Sequence, residues 1–155
     1  METPSDLSAR EAMLLGATLA GMAFINASVG AIHALSYPLG TGFKVPHGHA
    51  NALVAGPVMR FNMSVAEAEY ARLSRLLLPS RPFNSDAAAA HGLIDEMERM
   101  LVESGLESRL SGVGVTEAAI PGMANEVVTG ITRLLETNPR DMTAEDVSRL
   151  YQEAL

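Results

Sequence analysis

Between Ala12 and Phe43 no side chain carries a formal charge, and an apolar run of that length has to be enclosed by protein or by lipid. Its length alone would satisfy a membrane-spanning helix. Within it, however, stand Gly16, Gly21, Asn26, Ser28, Gly30, His33, Ser36 and Pro38, and no Lys or Arg cluster flanks it. The chain also opens with Glu2 and Asp6, where a signal peptide would want basic residues. The expectation is a helix enclosed on all sides by other helices, with no membrane role, and part of that enclosure is open to protein beyond these 155 residues.

The rest of the composition narrows the class. With 48% hydrophobic and 19% charged residues the chain is globular, and 155 residues suit one domain with one core, here taken as 1–155. Aromatic residues make up only 5% with no Trp, while Ala, Leu, Met and Gly abound; no period-two pattern of useful length and no internal repeat occur, so an all-α helical bundle is expected. A net charge of -7, from 18 acids against 11 bases, offers no field for phosphates, which excludes nucleic acid as a partner. The absence of cysteine excludes disulfides and thiolate metal sites, leaves imidazole and carboxylate as the strong ligands, and fits a reduced, cytoplasmic setting.

Local signals divide the chain into helices. Ser5 or Ser8 can cap a first helix from Leu7 to about Tyr37, stopped by Pro38. Gly40 and Gly42 then read as a loop that ends at Pro46, and His47 opens a second helix to about Phe61, kinked at Pro57. Ser64 and Glu67 have capping-box spacing for a third helix, ended by Leu78 and Pro79, with Arg72 and Arg75 facing solvent. Ser85 or Asp86 caps a fourth helix that Gly105 closes, Gly112 and Gly114 mark a turn, a helix runs from about Pro121 to Glu136, and Thr143 caps the last.

Three of the four histidines cluster around that glycine loop. His33 falls in the last turns of the first expected helix and His47 in the first turn of the next, so the connection lets their rings face a common point. A helix N-terminus favours the neutral, metal-binding form of an imidazole. Tyr37 follows His33 by four residues and shares its helix face, where its phenol can donate a hydrogen bond behind a ligand or meet a substrate. A lone histidine on an apolar helix is more often a hydrogen-bonded core residue, and that reading stays open here. No Asp or Glu lies between Glu11 and Glu67, so any third ligand comes from far along the chain or from another chain. His49, about 200° around the helix from His47, reads as a rim or partner-facing residue. His91 reads as solvated or helix-pairing, the methionines as core filling, and the turn Asn138, Pro139, Arg140 as structural. Gly40, Thr41 and Gly42 lack the spacing and the preceding strand of a nucleotide loop.

Gly21, Phe24 and Asn26, then His33, Tyr37, Pro38 and Gly40, then Val45, Pro46, His47 and Gly48 with Asn51 and Ala52, then Arg60, Phe61 and Asn62 resemble the iron-containing (group III) alcohol dehydrogenases in order and spacing. Asn138, Pro139 and Arg140 followed by Thr143, Glu145, Asp146 and Tyr151 are similar to that family's C-terminal ending, so the resemblance covers essentially the whole chain. It implies a helical C-terminal metal-binding domain packed against an N-terminal α/β domain that holds NAD(P), with Fe²⁺ or Zn²⁺ in the cleft. His33 and His47 match two histidine ligands; the other two, an Asp and a His four residues apart on an earlier helix, have no counterpart here, nor has the glycine-rich nucleotide loop. Some members carry a histidine where Tyr37 stands, and Phe24 matches a position lining the substrate pocket. The resemblance therefore implies metal-assisted hydride transfer between alcohol and aldehyde or ketone, with an N-terminal nucleotide-binding domain or its equivalent as partner and no activity for this chain alone. The alternative is a non-enzymatic helical module, and in either case an uncovered apolar face implies a homo-oligomer.

Overall fold

The computed structural model describes residues 3–155; Met1 and Glu2, including the acid counted against a signal peptide, lie outside the described residues. Among the described residues there are helices and no strand, as the composition predicts. Helix α1 spans Leu7–Ala27, and its N-cap is Asp6, whose carboxylate accepts the Ala9 amide at 3.0 Å in place of the serines on either side.

The first break falls earlier than Pro38. The chain leaves α1 at Ser28, a non-glycine residue at φ 66°, and α2 (Ala31–Phe43) departs at 105° to α1. Two contacts from the far end of the sequence hold this bend. The Thr137 hydroxyl donates to the Val29 carbonyl at 2.6 Å, and Asn138 packs on Gly30, its Cα 3.6 Å from where a Cβ would stand. Neither α1 nor α2 is long and apolar enough to cross a membrane by itself.

Pro38 lies buried inside α2. It lacks the amide that would reach the Ala34 carbonyl, a loss that ordinarily breaks a helix. Here the surrounding core outweighs it: Ala34, Leu35 and Leu39 are fully buried, and the Tyr151 hydroxyl donates to the Leu35 carbonyl at 2.7 Å. The expected glycine loop is consequently helical through Phe43, and the connection shrinks to Lys44–Pro46.

Helix α3 (His47–Leu77) runs unbroken through Pro57 and through the Ser64 to Glu67 spacing, so two expected helices are one. Helix α4 (Asp86–Glu103), capped by Ser85, returns antiparallel to it: Arg75 pairs with Asp86 at one end, and Gly56 sits beneath the Glu98 carboxylate at the other. Arg60 reaches both Glu98 and Glu153, at 2.8 and 2.6 Å. These pairs are partly exposed and worth about 0.2–1 kcal/mol each. Helices α5 (Ile120–Gly130), α6 (Thr132–Glu136) and α7 (Ala144–Ala154) close the core over α2 and α3, and Thr143 with Asp146 forms a complete capping box on α7. The Tyr151 phenol is almost wholly buried, and that burial pushes its pKa far up.

Helix α1 contradicts the expectation of an enclosed helix. None of its residues is buried by the described residues, and Leu14, Leu15, Leu19, Met22 and Ile25 all stand in the open. The accessible surface is 9418 Å² for 16.4 kDa. A folded monomer of that mass exposes about 7,500 Å², so roughly 1,900 Å² is in excess.

Tyr151→Phe removes the buried bond to Leu35 and nothing else. Urea unfolding is expected to show a loss of about 1–1.5 kcal/mol; an unchanged midpoint would mean that this bond does not hold α2 in place.

Candidate metal centre

Both cluster histidines occupy helix N-termini. His33 is the third residue of α2 and His47 the first of α3, and neither Gly30 nor Pro46 caps its helix with a side chain. His33 therefore sits in a first turn and not, as the sequence suggested, in the last turns of a long helix. Lys44 adopts the left-handed conformation at φ 59°, and Val45 turns back so that its amide donates to the Leu39 carbonyl at 3.2 Å. Running back along α2, the three residues Lys44–Pro46 span about 10 Å. His47 is thereby brought level with Tyr37, one helical turn from His33.

The rings of His33 and His47 lie 5.1 Å apart between centroids, tilted by 55°. Their Nε2 atoms face one group: the Asn51 side-chain nitrogen is 3.3 Å from His33 Nε2 and 3.2 Å from His47 Nε2. Asn51 follows His47 by four residues on α3, and its Oδ1 is buried without a hydrogen-bond partner. Burial and, behind it, the neighbouring His47 hold the His33 pKa below its ordinary value of 6.5. His33 is thus disposed to stay neutral. The Tyr37 ring lies 6.3 Å from that of His47 at 30° and is 43% exposed, at the rim of the pair.

Two imidazoles whose Nε2 atoms point to one place suit a borderline divalent ion such as Zn²⁺ or Fe²⁺. A catalytic ion normally takes three protein ligands, and among the described residues no group of three His, Cys, Asp or Glu side chains gathers anywhere. The donor set fits part of a metal site.

The other candidates separate from it. His49 is partly buried and bonds the Glu107 carbonyl through Nε2 at 2.6 Å, so it ties the start of α3 to the loop after α4. His91 is exposed on α4. Phe24 is on α1, 53% exposed. The turn after α6 is a clasp: Asn138 and Asn62 exchange two amide bonds of 2.8 and 2.9 Å, while the Arg140 guanidinium stacks 3.9 Å from the Phe61 ring centroid and donates to the Phe61 carbonyl. Since Asn138 also packs on Gly30, this clasp sets where α2 starts and hence where His33 stands. Asn51 was legible through its spacing from His47; the reciprocal Asn62–Asn138 pair, 76 residues apart, was not.

An all-helical fold with a two-imidazole corner at abutting helix starts defines a class of helical domain with a candidate metal site. Comparison with known proteins narrows it. The profile of the Fe-containing alcohol dehydrogenase family, C-terminal part, matches residues 1–155. The chain is 33% identical over 150 residues to long-chain-alcohol dehydrogenase 1 of Geobacillus thermodenitrificans, covering 97% of this chain and 38% of that protein. It is 37% identical over 155 residues to 1-propanol dehydrogenase PduQ of Salmonella typhimurium, covering 96% and 41%. The crystal structure of a 1,3-propanediol oxidoreductase superposes with a TM-score of 0.89 at 31% identity, covering 97% of this chain and 39% of the other. The chain belongs to the Fe-containing alcohol dehydrogenase family and corresponds to its C-terminal helical part. It spans about two fifths of the length of the curated relatives it matches.

The lowered pKa of His33 has a consequence for stability. The unfolded chain takes up that proton at a higher pH than the folded chain, so the contribution is complete above 6.5 and is lost as pH falls through and below it. In metal-free buffer the thermal midpoint is expected to drop between about pH 7 and pH 5. His33→Gln should flatten that part of the profile, and an identical profile in the variant would refute the assignment.

Proposed function

We propose that this domain supplies two metal ligands, His33 and His47, to an NAD(P)-dependent alcohol dehydrogenase, with the remaining ligands and the nucleotide site contributed by protein outside this chain. The observation that carries the reading is the convergence of the two Nε2 atoms on one amide nitrogen within 3.3 Å. When bound there, a divalent ion such as Fe²⁺ or Zn²⁺ supplies Lewis-acid polarisation of a substrate oxygen, the chemistry that accompanies hydride exchange between a carbinol carbon and a nicotinamide. His33 and His47 would hold the ion through their Nε2 atoms. Tyr37, half-exposed beside His47, is the side chain at the rim that a substrate would meet, and the exposed Phe24 of α1 is the residue assigned to an apolar wall of the substrate pocket. Alcohols and their aldehydes are the substrate class, in keeping with the names of the relatives.

The open surface of α1 is the natural seat for the rest of such an enzyme. Ala27, its last residue, is six positions before His33, so protein that covers α1 also reaches the imidazoles. For the 155-residue chain alone the expectation is weak divalent-metal uptake and no turnover in a NAD(P)-linked alcohol assay. Metal analysis of the purified chain read beside that assay is the test, and robust turnover by the pure chain would overturn the reading.

A second reading, a self-associating helical module, draws on the excess surface. Stable interfaces bury about 800 Å² per partner, well within the roughly 1,900 Å² in excess. Light scattering is expected to report a homo-oligomer for the isolated chain, and Leu15→Glu with Leu19→Glu to return it to a monomer of unchanged helicity. An oligomer indifferent to both substitutions would place the contact elsewhere.

A further inference from the structure

Asn51 sits at the centre of the imidazole pair without being a ligand of the familiar nitrogen or carboxylate type. Its amide nitrogen carries two hydrogens and stands within hydrogen-bond distance of two ring nitrogens at once, 3.3 Å to His33 and 3.2 Å to His47. One of those rings comes from its own helix, four residues earlier, and the other from α2 across 18 residues. A single NH₂ group can serve both only if both Nε2 atoms are unprotonated acceptors, which puts the ring proton of each histidine on Nδ1. Reversing the amide would require both Nε2 atoms to carry protons, and neither could then meet a metal. The far end of the side chain offers no competing anchor, since Oδ1 is buried with no partner.

We infer that Asn51 is a positioning residue that selects the Nδ1–H tautomer of His33 and His47 together and aims both Nε2 lone pairs at one point. The inference rests on the reading of these histidines as metal ligands, because only the unprotonated Nε2 can bind an ion. It assigns the amide a task that neither near neighbour in chemistry performs. Aspartate in its place has the same shape, is acceptor-only and draws protons onto Nε2; leucine has the same branching, a larger volume and no donor. The two substitutions therefore act differently on proton position.

The test is long-range ¹H–¹⁵N spectroscopy of the full chain, labelled at histidine and free of metal, at about pH 8, where histidine is neutral. In the unmodified chain both rings are expected in the Nδ1–H form, against the preference of free histidine for Nε2–H. In Asn51→Leu the Nε2–H form should appear in at least one ring, and in Asn51→Asp it should dominate in both. Circular dichroism and the thermal midpoint establish that each variant is folded; should the leucine variant fail to fold, the isosteric aspartate variant carries the comparison. Nε2–H signals in the unmodified chain, or tautomers indifferent to both substitutions, would overturn the inference. Adding Zn²⁺ to the unmodified chain reads the ligand assignment separately. Because uptake by the chain alone is weak, Zn²⁺ is titrated in large excess: displaced Nε2 signals of His33 and His47 support the assignment, and signals that do not move even then overturn it while leaving the tautomer result intact.

Discussion

The doubling back of the chain at Lys44–Pro46 is the constraint on which the site depends. A helix of thirteen residues, α2, carries His33 away from His47 by most of its length, and a simple turn at its end would leave the two rings far apart. The left-handed Lys44 and the Val45 amide bond to Leu39 send the chain back along α2 before α3 begins. A lysine in that conformation is uncommon, and it persists only where its surroundings fix it. Val45, buried in the core, and the Leu39 carbonyl that accepts its amide supply that fixing, while Tyr151 secures α2 from the opposite side.

Much of the fold could be read from local chemistry, and the failures share one cause. Ser85 and Thr143 cap helices as the sequence suggested, because a cap is an interaction across three residues. Pro38 and Ser28 went the other way. A proline in the eighth position of a helix is locally unfavourable, yet α2 continues through it, held by Tyr151 from 116 residues away. Ser28 bends the chain where the apolar run looked continuous, held by Thr137 from 108 residues away. Likewise α3 runs unbroken through the Ser64 to Glu67 spacing, because α4 packs against it on both sides of that point, from Gly56 to Arg75. Local signals lost wherever a buried partner remote in sequence weighed against them.

The histidine pair survived these errors for a specific reason. Its members were identified by type and by their position around a chain reversal, and both features hold whether the reversal starts at Pro38 or at Lys44. What the wrong boundary concealed was His33's own place in a first helical turn, and with it the symmetry of the pair: two imidazoles, each at the start of a helix without a side-chain cap. The role of Asn51 was hidden in the same way. Its spacing from His47 was visible, but its reach to His33 exists only after the three-residue return has set α3 beside α2.

Two deficits of the domain adjoin each other. The imidazole pair has too few donors for a catalytic ion, and α1, joined to α2 three residues before His33, has too little protein around it for its composition. A helix apolar on every side with no buried residue is not a stable arrangement in water. Whatever encloses α1 must approach from more than one side, since the exposed Leu14, Leu19 and Phe24 are spread around the helix and do not share a face. Under the proposed function, the protein that removes α1 from solvent is also the protein that brings further ligands to His33 and His47. The clasp of Asn62, Asn138 and Arg140, by packing on Gly30, fixes the bend between α1 and α2 and so sets how the open helix stands relative to the imidazole pair.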